Sequence, residues 1–365
     1  LSCGRGWSWH VHSAMPTGSE VALSTREARL LPRSEETVGQ VLDRFGLGVF
    51  CMKGQKGAGD TTIGQDNLSI SHVSGVGMYG WEVYVVADGH GTSGHWASQR
   101  IVRTLPYFLS TFECRNQLWI GAVEAAMAAA FKRTEDDLRQ YAVEKDFDLT
   151  LSGTTASCLL RWSRGSKVWV ATLGDTRALL LGEAGKVPHL STVPHKPDLP
   201  EERRRIEEAG GEVREPSGFI GERVFVAGRP YPALSMSRAF GDLAVKDCGV
   251  IAEPEVWCWE IEEHRDAYVL VATDGLFEFL NDSDINDTVL EAFAGGKTPT
   301  AALRILADKA KAAWLSQDNG IYCDDIAGVL LPLRHVLAKP PQVLKASCFT
   351  APCFAGVTSP SCSLQ

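Results

Sequence analysis

The chain has 365 residues, 44% of them hydrophobic and 22% charged, with a net charge of −9 and an isoelectric point near 5.5. That length can bury a sizeable core as one large domain or two modest ones, and the composition is ordinary for a globular protein. The acidic balance argues against a nucleic-acid partner, since a phosphate backbone calls for a basic face, and the apolar stretches are too short to span a bilayer.

Residues 1–34 mix Gly, Ser and Pro with Trp7 and Trp9, show no sustained period, and read as an extension. The opening Leu1-Ser2-Cys3-Gly4-Arg5 is not a signal peptide, and with no initiator Met there it leaves room for a targeting segment upstream. A helix capped by Ser34 should run to Leu42, which sets the N-terminal extension at residues 1–44. Strands are expected at 48–52, 68–72 and 82–87. A helix follows at 95–109, interrupted by Pro106. Residues 116–143, rich in Ala, Glu, Leu and Met, read as the longest helix. Further strands are expected at 154–161, 167–173 and 177–181. A short helix at 200–209 has Pro near its start and Gly210-Gly211 at its end. Strands at 233–236, 256–261 and 268–273 come next, then helices at 284–293 and 300–315. A last strand at 328–331 should be ended by Pro332. Residues 334–365, with Pro340-Pro341 and little charge, read as a tail. Strands separated by turns, with helices in blocks, indicate an α+β domain over 45–333.

Ten cysteines are scattered without Cys-x-x-Cys spacing, which argues against a zinc site or a disulfide scaffold. A reducing compartment, cytoplasmic or nuclear, is expected.

The chemistry concentrates where β-type runs meet carboxylates. Val83-Tyr84-Val85-Val86-Ala87 leads into Asp88-Gly89-His90-Gly91, and Tyr268–Thr273 leads into Asp274-Gly275. Asp324 heads the run Ile326–Leu331. Each strand should end by presenting a carboxylate, and the Gly should let the backbone turn away at once. One Asp-Gly pair marks no more than a turn. Three such carboxylates, with no Cys or His cluster beside them, suit hard cations such as Mg²⁺ or Mn²⁺.

Further motifs fall in order around these: Gly64-Gln65-Asp66-Asn67, Ser152-Gly153-Thr154-Thr155-Ala156, Gly174-Asp175-Thr176-Arg177-Ala178, His195-Lys196-Pro197 with Glu208-Ala209-Gly210-Gly211, and Ser237-Arg238-Ala239-Phe240-Gly241-Asp242. Together with Thr273–Glu278 and Asp324-Asp325-Ile326, the set resembles the PP2C-type metal-dependent protein serine/threonine phosphatases over roughly residues 45–333. The resemblance implies an α-β-β-α sandwich of two antiparallel sheets flanked by helices, with two Mg²⁺ or Mn²⁺ ions in a cleft at one end. It implies direct attack on the phosphoryl group by a metal-bridging water or hydroxide. Carried over by position, Asp88 should bridge the two ions and the Gly89 carbonyl should ligate one. Asp274 and Asp324 should hold the other, and Asp66 should act through water. Asp175 is similar to the residue of a third, weaker metal position, and His90 to the general acid. His95, Arg177 and Arg238 are expected to be structural.

Four positions depart from the family pattern. Gln65 stands where many members have Glu, and Glu278 where many have Asp. Thr61 takes the place of a phosphate-binding Arg, for which Lys53 or Lys56 could substitute. Pro194 replaces an Asp before His195. The Arg203-Arg204-Arg205 run lies in the region that forms a flap beside the cleft, where a solvated helix face is the simpler reading. The implied partners are phosphorylated proteins, with no nucleic acid and no membrane span, and a monomer is expected. A catalytically inactive phosphatase-like binding domain is the rival reading, and a hydrolase of small phosphoesters a third. Retention of Asp88, Asp274 and Asp324 favours the protein phosphatase.

Overall fold

A computed structural model of the chain describes residues 10–13, 21–24, 42, 46–74, 80–162, 165–182, 186, 188, 190–216, 221–262, 265–317 and 320–333. The strands, in chain order, are β1 (His10–Ser13), β2 (Val21–Ser24), β3 (Gly48–Met52), β4 (Gln55–Lys56), β5 (Asp66–Ser74), β6 (Gly80–His90), β7 (Gly153–Trp162), β8 (Lys167–Leu173) and β9 (Arg177–Leu181). They continue as β10 (Gly211–Arg214), β11 (Arg223–Val226), β12 (Phe240–Gly241), β13 (Glu255–Glu260), β14 (Tyr268–Ala272), β15 (Tyr322–Cys323) and β16 (Ile326–Pro332). The α-helices are α1 (Gly94–Leu109), α2 (Phe112–Trp119), α3 (Val123–Lys145), α4 (Pro200–Glu208), α5 (Asp274–Phe277), α6 (Asp282–Ala294) and α7 (Pro299–Gln317).

Two antiparallel sheets form the centre. One runs β13-β8-β7-β6-β5-β1-β2, with β12 paired to the start of β7; the other runs β3-β16-β14-β9. Strand alternation sorts the side chains into layers. Val83, Val85 and Ala87 of β6 pack with Ile101, Leu105, Met127 and Phe131 of α1 and α3. Tyr84 and Val86, on the other face, meet Val269, Val271 and Val329 of the second sheet. Leu270, Ala272 and Leu330 face Val289, Leu303 and Leu306 of α6 and α7. The result is the expected α-β-β-α sandwich, in which both central sheets are covered on both faces.

Several local expectations are corrected. Pro106 does not interrupt its helix; α1 runs through it to Leu109. The long helix expected at 116–143 is two, because the chain turns at Gly121, whose φ is +83°, between α2 and α3. The strand expected at 233–236 is a single bridge from Leu234 to Val224, and the pairing strands of that region are β10 and β11. Most importantly, β6 does not stop before Asp88. It stays paired with β7 through His90, and the backbone turns only at Gly91, where φ is +77°. Within the N-terminal extension, β1 pairs with β5 and adds β2 to the sheet edge. The helix expected from Ser34 lies outside the described residues except for Leu42, and the tail at 334–365 lies outside them entirely.

Phe131 of α3 stacks on Phe240 of β12, with centroids 5.4 Å apart, and neither ring is exposed. Replacing Phe131 by Ala removes that contact and leaves a cavity under the helix layer. A destabilisation of about 3–5 kcal/mol is expected, read from urea unfolding followed by circular dichroism.

Candidate active site

Antiparallel register builds the centre of the site. Asp66 of β5 stands directly opposite Asp88 of β6. Asp66 continues the face of Leu68 and Ile70, and Asp88 the face of Tyr84 and Val86, so both carboxylates end the inter-sheet layer. Like charges placed opposite one another on neighbouring strands destabilise a sheet. The second sheet closes on the pair from the other side. Thr273, after β14, donates its hydroxyl to Asp66 Oδ2 at 2.8 Å and accepts from Ala327 N at 3.0 Å. Asp274 begins α5 there, close enough for its charge to act on the Asp88 carboxyl.

The electrostatics follow. Burial, reinforced by the charges of Asp66, Asp274, Asp324 and Asp175, pushes the Asp88 carboxyl well above its ordinary range. Asp66 is raised by burial and by Asp325 and Asp324, against the Thr273 hydrogen bond. Asp274 is pushed up to about 7 by burial and by Asp175 and Asp324. Asp66 Oδ1 and Asp175 Oδ1 are buried without a hydrogen-bond partner. An all-oxygen, anionic donor set with unpartnered buried oxygens fits hard divalent cations. Asp66, Asp88, Asp175, Asp274 and Asp324 are therefore the residues able to hold them.

Two lysines take up part of this charge. Lys56 is ion-paired with Asp324 and lies 3.4 Å from Tyr322 Oη; burial works against its charge, but Asp324 more than compensates and raises it. Lys196 Nζ sits 2.5 Å from Asp175 Oδ2. Among the described residues, no three His, Cys, Asp or Glu side chains stand in a metal-gripping arrangement, and Asp324 and Asp175 are held by ammonium groups instead. Lys53, the other lysine suggested for phosphate, is bound to Asp60 at 2.5 Å. Gln65 turns its side-chain amide to Gly91 O at 2.6 Å and anchors the turn after β6.

His90 ends β6 with Nε2 2.7 Å from Asp242 Oδ2. Burial alone would lower its pKa, but Asp242 reverses that and raises it. Gly89 is required by close approach: a Cβ there would lie 2.4 Å from Gly94 O. The arginines are structural, as expected. Arg177 pairs with Asp282 at 3.0 Å, and Arg238 and Arg205 both hold Glu202, at 2.6 and 2.7 Å. Arg203 pairs with Glu222 and Arg204 with Glu201.

Asp242, Asp325 and Lys196 were not assigned roles from the sequence. Asp325 accepts from Gly54 N at 2.6 Å and Gln65 N at 2.7 Å, tying the loop before β5 to β16. Only the fold shows that Asp324 takes Lys56 while Asp325, which also acts on Asp66, binds backbone amides.

Residues 57–320 match the family model for protein phosphatase 2C. The chain is 33% identical over 297 residues to probable protein phosphatase 2C 61 of Arabidopsis thaliana, covering 78% of this chain and 85% of that protein. It is 30% identical over 297 residues to probable protein phosphatase 2C 72 of the same plant, covering 76% and 83%. Its fold is similar to that of a serine-threonine phosphatase 2C from Toxoplasma gondii, with a TM-score of 0.64 at 20% identity, covering 78% of this chain and 94% of that one. The chain belongs to the protein phosphatase 2C family. No helix among the described residues is long and apolar enough to cross a membrane.

The folded protein keeps the Asp274 proton up to about pH 7, whereas the unfolded chain releases it near the ordinary value of 3.8. Ionisation therefore opposes the metal-free fold, whose stability from this group is lost as pH rises through that window. Asp274→Asn in EDTA should be more stable than the wild type at pH 7.5, by roughly 1–3 kcal/mol after allowing for its partial solvent access. The gap should close toward pH 4.5, as read from urea midpoints at each pH.

Proposed function

We propose that this chain is a Mg²⁺- or Mn²⁺-dependent phosphatase that hydrolyses phosphoserine and phosphothreonine in proteins. The observation that carries the reading is the register pairing of Asp66 with Asp88, with Asp274 from the end of the second sheet close enough to act on Asp88. A fold with no cation to bind gains nothing from holding these acids together. Asp88 and the Gly89 carbonyl would serve one ion, Asp88, Asp274 and Asp324 the other, and Asp66 would act through water. Asp175 is the candidate for a third, weaker position. When bound, two such ions screen the phosphate dianion and make a coordinated water acidic enough to attack at neutral pH.

The chain's own residues do the rest. Asp66 is oriented by the hydroxyl of Thr273, which leaves its other oxygen, Oδ1, without a partner. Lys56 lies beside Asp324, and were Asp324 to serve a cation, the Lys56 ammonium group would be the one at hand for a phosphate oxygen. His90, at the cleft end of β6, gives its proton to the departing seryl or threonyl oxygen, which as a free alkoxide would be a strong base.

The test is hydrolysis of a phosphothreonine peptide with added Mn²⁺, after chelation, and after restoring Mn²⁺. Turnover should vanish with EDTA and return with metal. Asp88→Ala should lose nearly all activity while keeping the far-ultraviolet spectrum of the wild type. Full turnover in metal-free protein, verified by elemental analysis, would refute the reading.

The leaving group isolates His90. A p-nitrophenolate needs no proton to depart, whereas a serine oxygen does. His90→Gln should lower kcat for phosphopeptide by roughly 10²–10⁴-fold and lower it clearly less for p-nitrophenyl phosphate. Steady-state kinetics on both substrates at saturating Mn²⁺ decides it.

A further inference from the structure

The His90 ring is gripped from behind by a carboxylate that the fold goes to some length to place. Asp242 Oδ2 lies 2.7 Å from His90 Nε2, and the Asp242 side chain is only 4% exposed. Asp242 has φ +51° and ψ +49°, the left-handed region that a non-glycine residue seldom adopts. Its backbone is pinned there. Asp242 N donates to Ser152 O at 2.9 Å, and its carbonyl accepts from Val245 N at 3.1 Å. The next two amides, of Leu243 and Ala244, donate to Leu149 O and Thr150 O at 3.0 Å each. The preceding Gly241 has φ +76° and donates its N–H to Glu135 Oε2 at 3.0 Å.

The strand opposite makes room for this carboxylate. Gly153 faces His90 in the β6–β7 register and Gly241 in the β7–β12 register. A Cβ on Gly153 would lie 2.3 Å from Asp242 Oδ2, so only glycine lets the carboxylate reach the ring. Ser152 completes the frame by accepting from Ser93 N at 3.0 Å on its hydroxyl, which ties the turn after His90 to the same segment. Lys246, nearby, donates to Ala239 O at 2.5 Å.

We propose that Asp242 is the positioning residue for His90: it accepts the Nε2 hydrogen, fixes the plane of the ring, and thereby leaves Nδ1 as the nitrogen that serves the substrate. The proposal rests on the phosphatase reading above and deepens it. Water adds its oxygen to phosphorus, and the P–O bond to the serine breaks with its electron pair on the serine oxygen. That oxygen takes the Nδ1 proton, and the proton given up by water restores the ring. The Nε2–H bond to Asp242 is kept throughout. A carboxylate in this place favours one tautomer and one orientation of the imidazole, as a buried aspartate does for the histidine of a serine protease.

The experiment uses the full chain with saturating Mn²⁺. Asp242→Asn keeps size and tolerates left-handed backbone, but loses the charge and can offer its NH₂ group to the ring. It should lower kcat for phosphopeptide by roughly 10–10³-fold, lower that for p-nitrophenyl phosphate by much less, and leave the Mn²⁺ dependence unchanged. Added to His90→Gln, it should cost nothing further on either substrate, because a positioning residue has nothing left to position. Equal losses on both substrates, or losses that multiply in the double variant, would overturn the proposal and leave Asp242 as a structural residue. Should Asp242→Asn not fold, or the wild type show no turnover, ¹⁵N-histidine spectra of the wild type decide. The His90 ring, assigned by its loss in His90→Gln, should be protonated at Nε2 when neutral, and a ring carrying its proton on Nδ1 would refute the assignment. Absence of turnover would count against the phosphatase reading alone.

Discussion

Asp66 and Asp88 face each other across two hydrogen-bonded strands, and this repulsion organises the whole end of the sandwich. In a sheet, directly opposed residues cannot move apart without breaking the ladder. Burial and the charge of neighbouring carboxylates instead push both carboxyls toward the protonated form, and Asp66 takes a hydrogen bond from Thr273. The apolar layer beneath them, from Leu68, Ile70, Tyr84 and Val86, carries that unfavourable placement. Hydrophobic burial over the two sheets is what allows a destabilised site to persist at their edge.

Backbone crowding accompanies the charge crowding. A Cβ on Gly54 would lie 2.2 Å from Cys323 O, and one on Gly275 would lie 1.9 Å from Asp325 O. With Gly89 packed under Gly94, three separate segments reach the cluster only because they carry no side chain at the contact. Close approach of this kind brings carboxylates from both sheets and from the loop before β16 within one another's fields. A site spread over residues 66 to 324 thus depends on glycines that never touch a substrate.

Cations are sparingly available around this cleft. Arg203, Arg204 and Arg205 of α4 and Arg238 are engaged by Glu222, Glu201 and Glu202, and Glu202 is held well below its usual range because Arg238, Arg205 and Ser237 outweigh its burial. Lys53 is spent on Asp60. Lys56 and Lys196 alone lie on cluster acids among the lysines discussed, where each partly fills the electrostatic role of a metal. The charge of Asp324 and Asp175 is therefore balanced within the chain by Lys56 and Lys196.

Much of the protein was legible in its sequence. The strand Lys167–Leu173 was readable to the residue, because the recurrence of Val168, Val170 and Thr172 at every second position is a local property. The ordered motifs identified the acids because the chemistry demands those residue types. Local patterning failed at Pro106, which is carried inside a packed helix, and at Gly121, a local breaker whose left-handed backbone splits the segment in two. It could not show that β6 runs on through Asp88 to His90, since the partner that extends it, β7, lies more than sixty residues away. The sequence by itself determined which acidic side chains belong together in one set of ordered motifs and, through the family resemblance those motifs carry, that they belong to a two-sheet α+β domain. Only the tertiary structure decided that Asp66 opposes Asp88, that Asp325 ties backbone while Asp324 takes Lys56, and that Asp242 lies on the His90 ring. Register and long-range approach are set by the packing of distant segments, and no local pattern of residues encodes them.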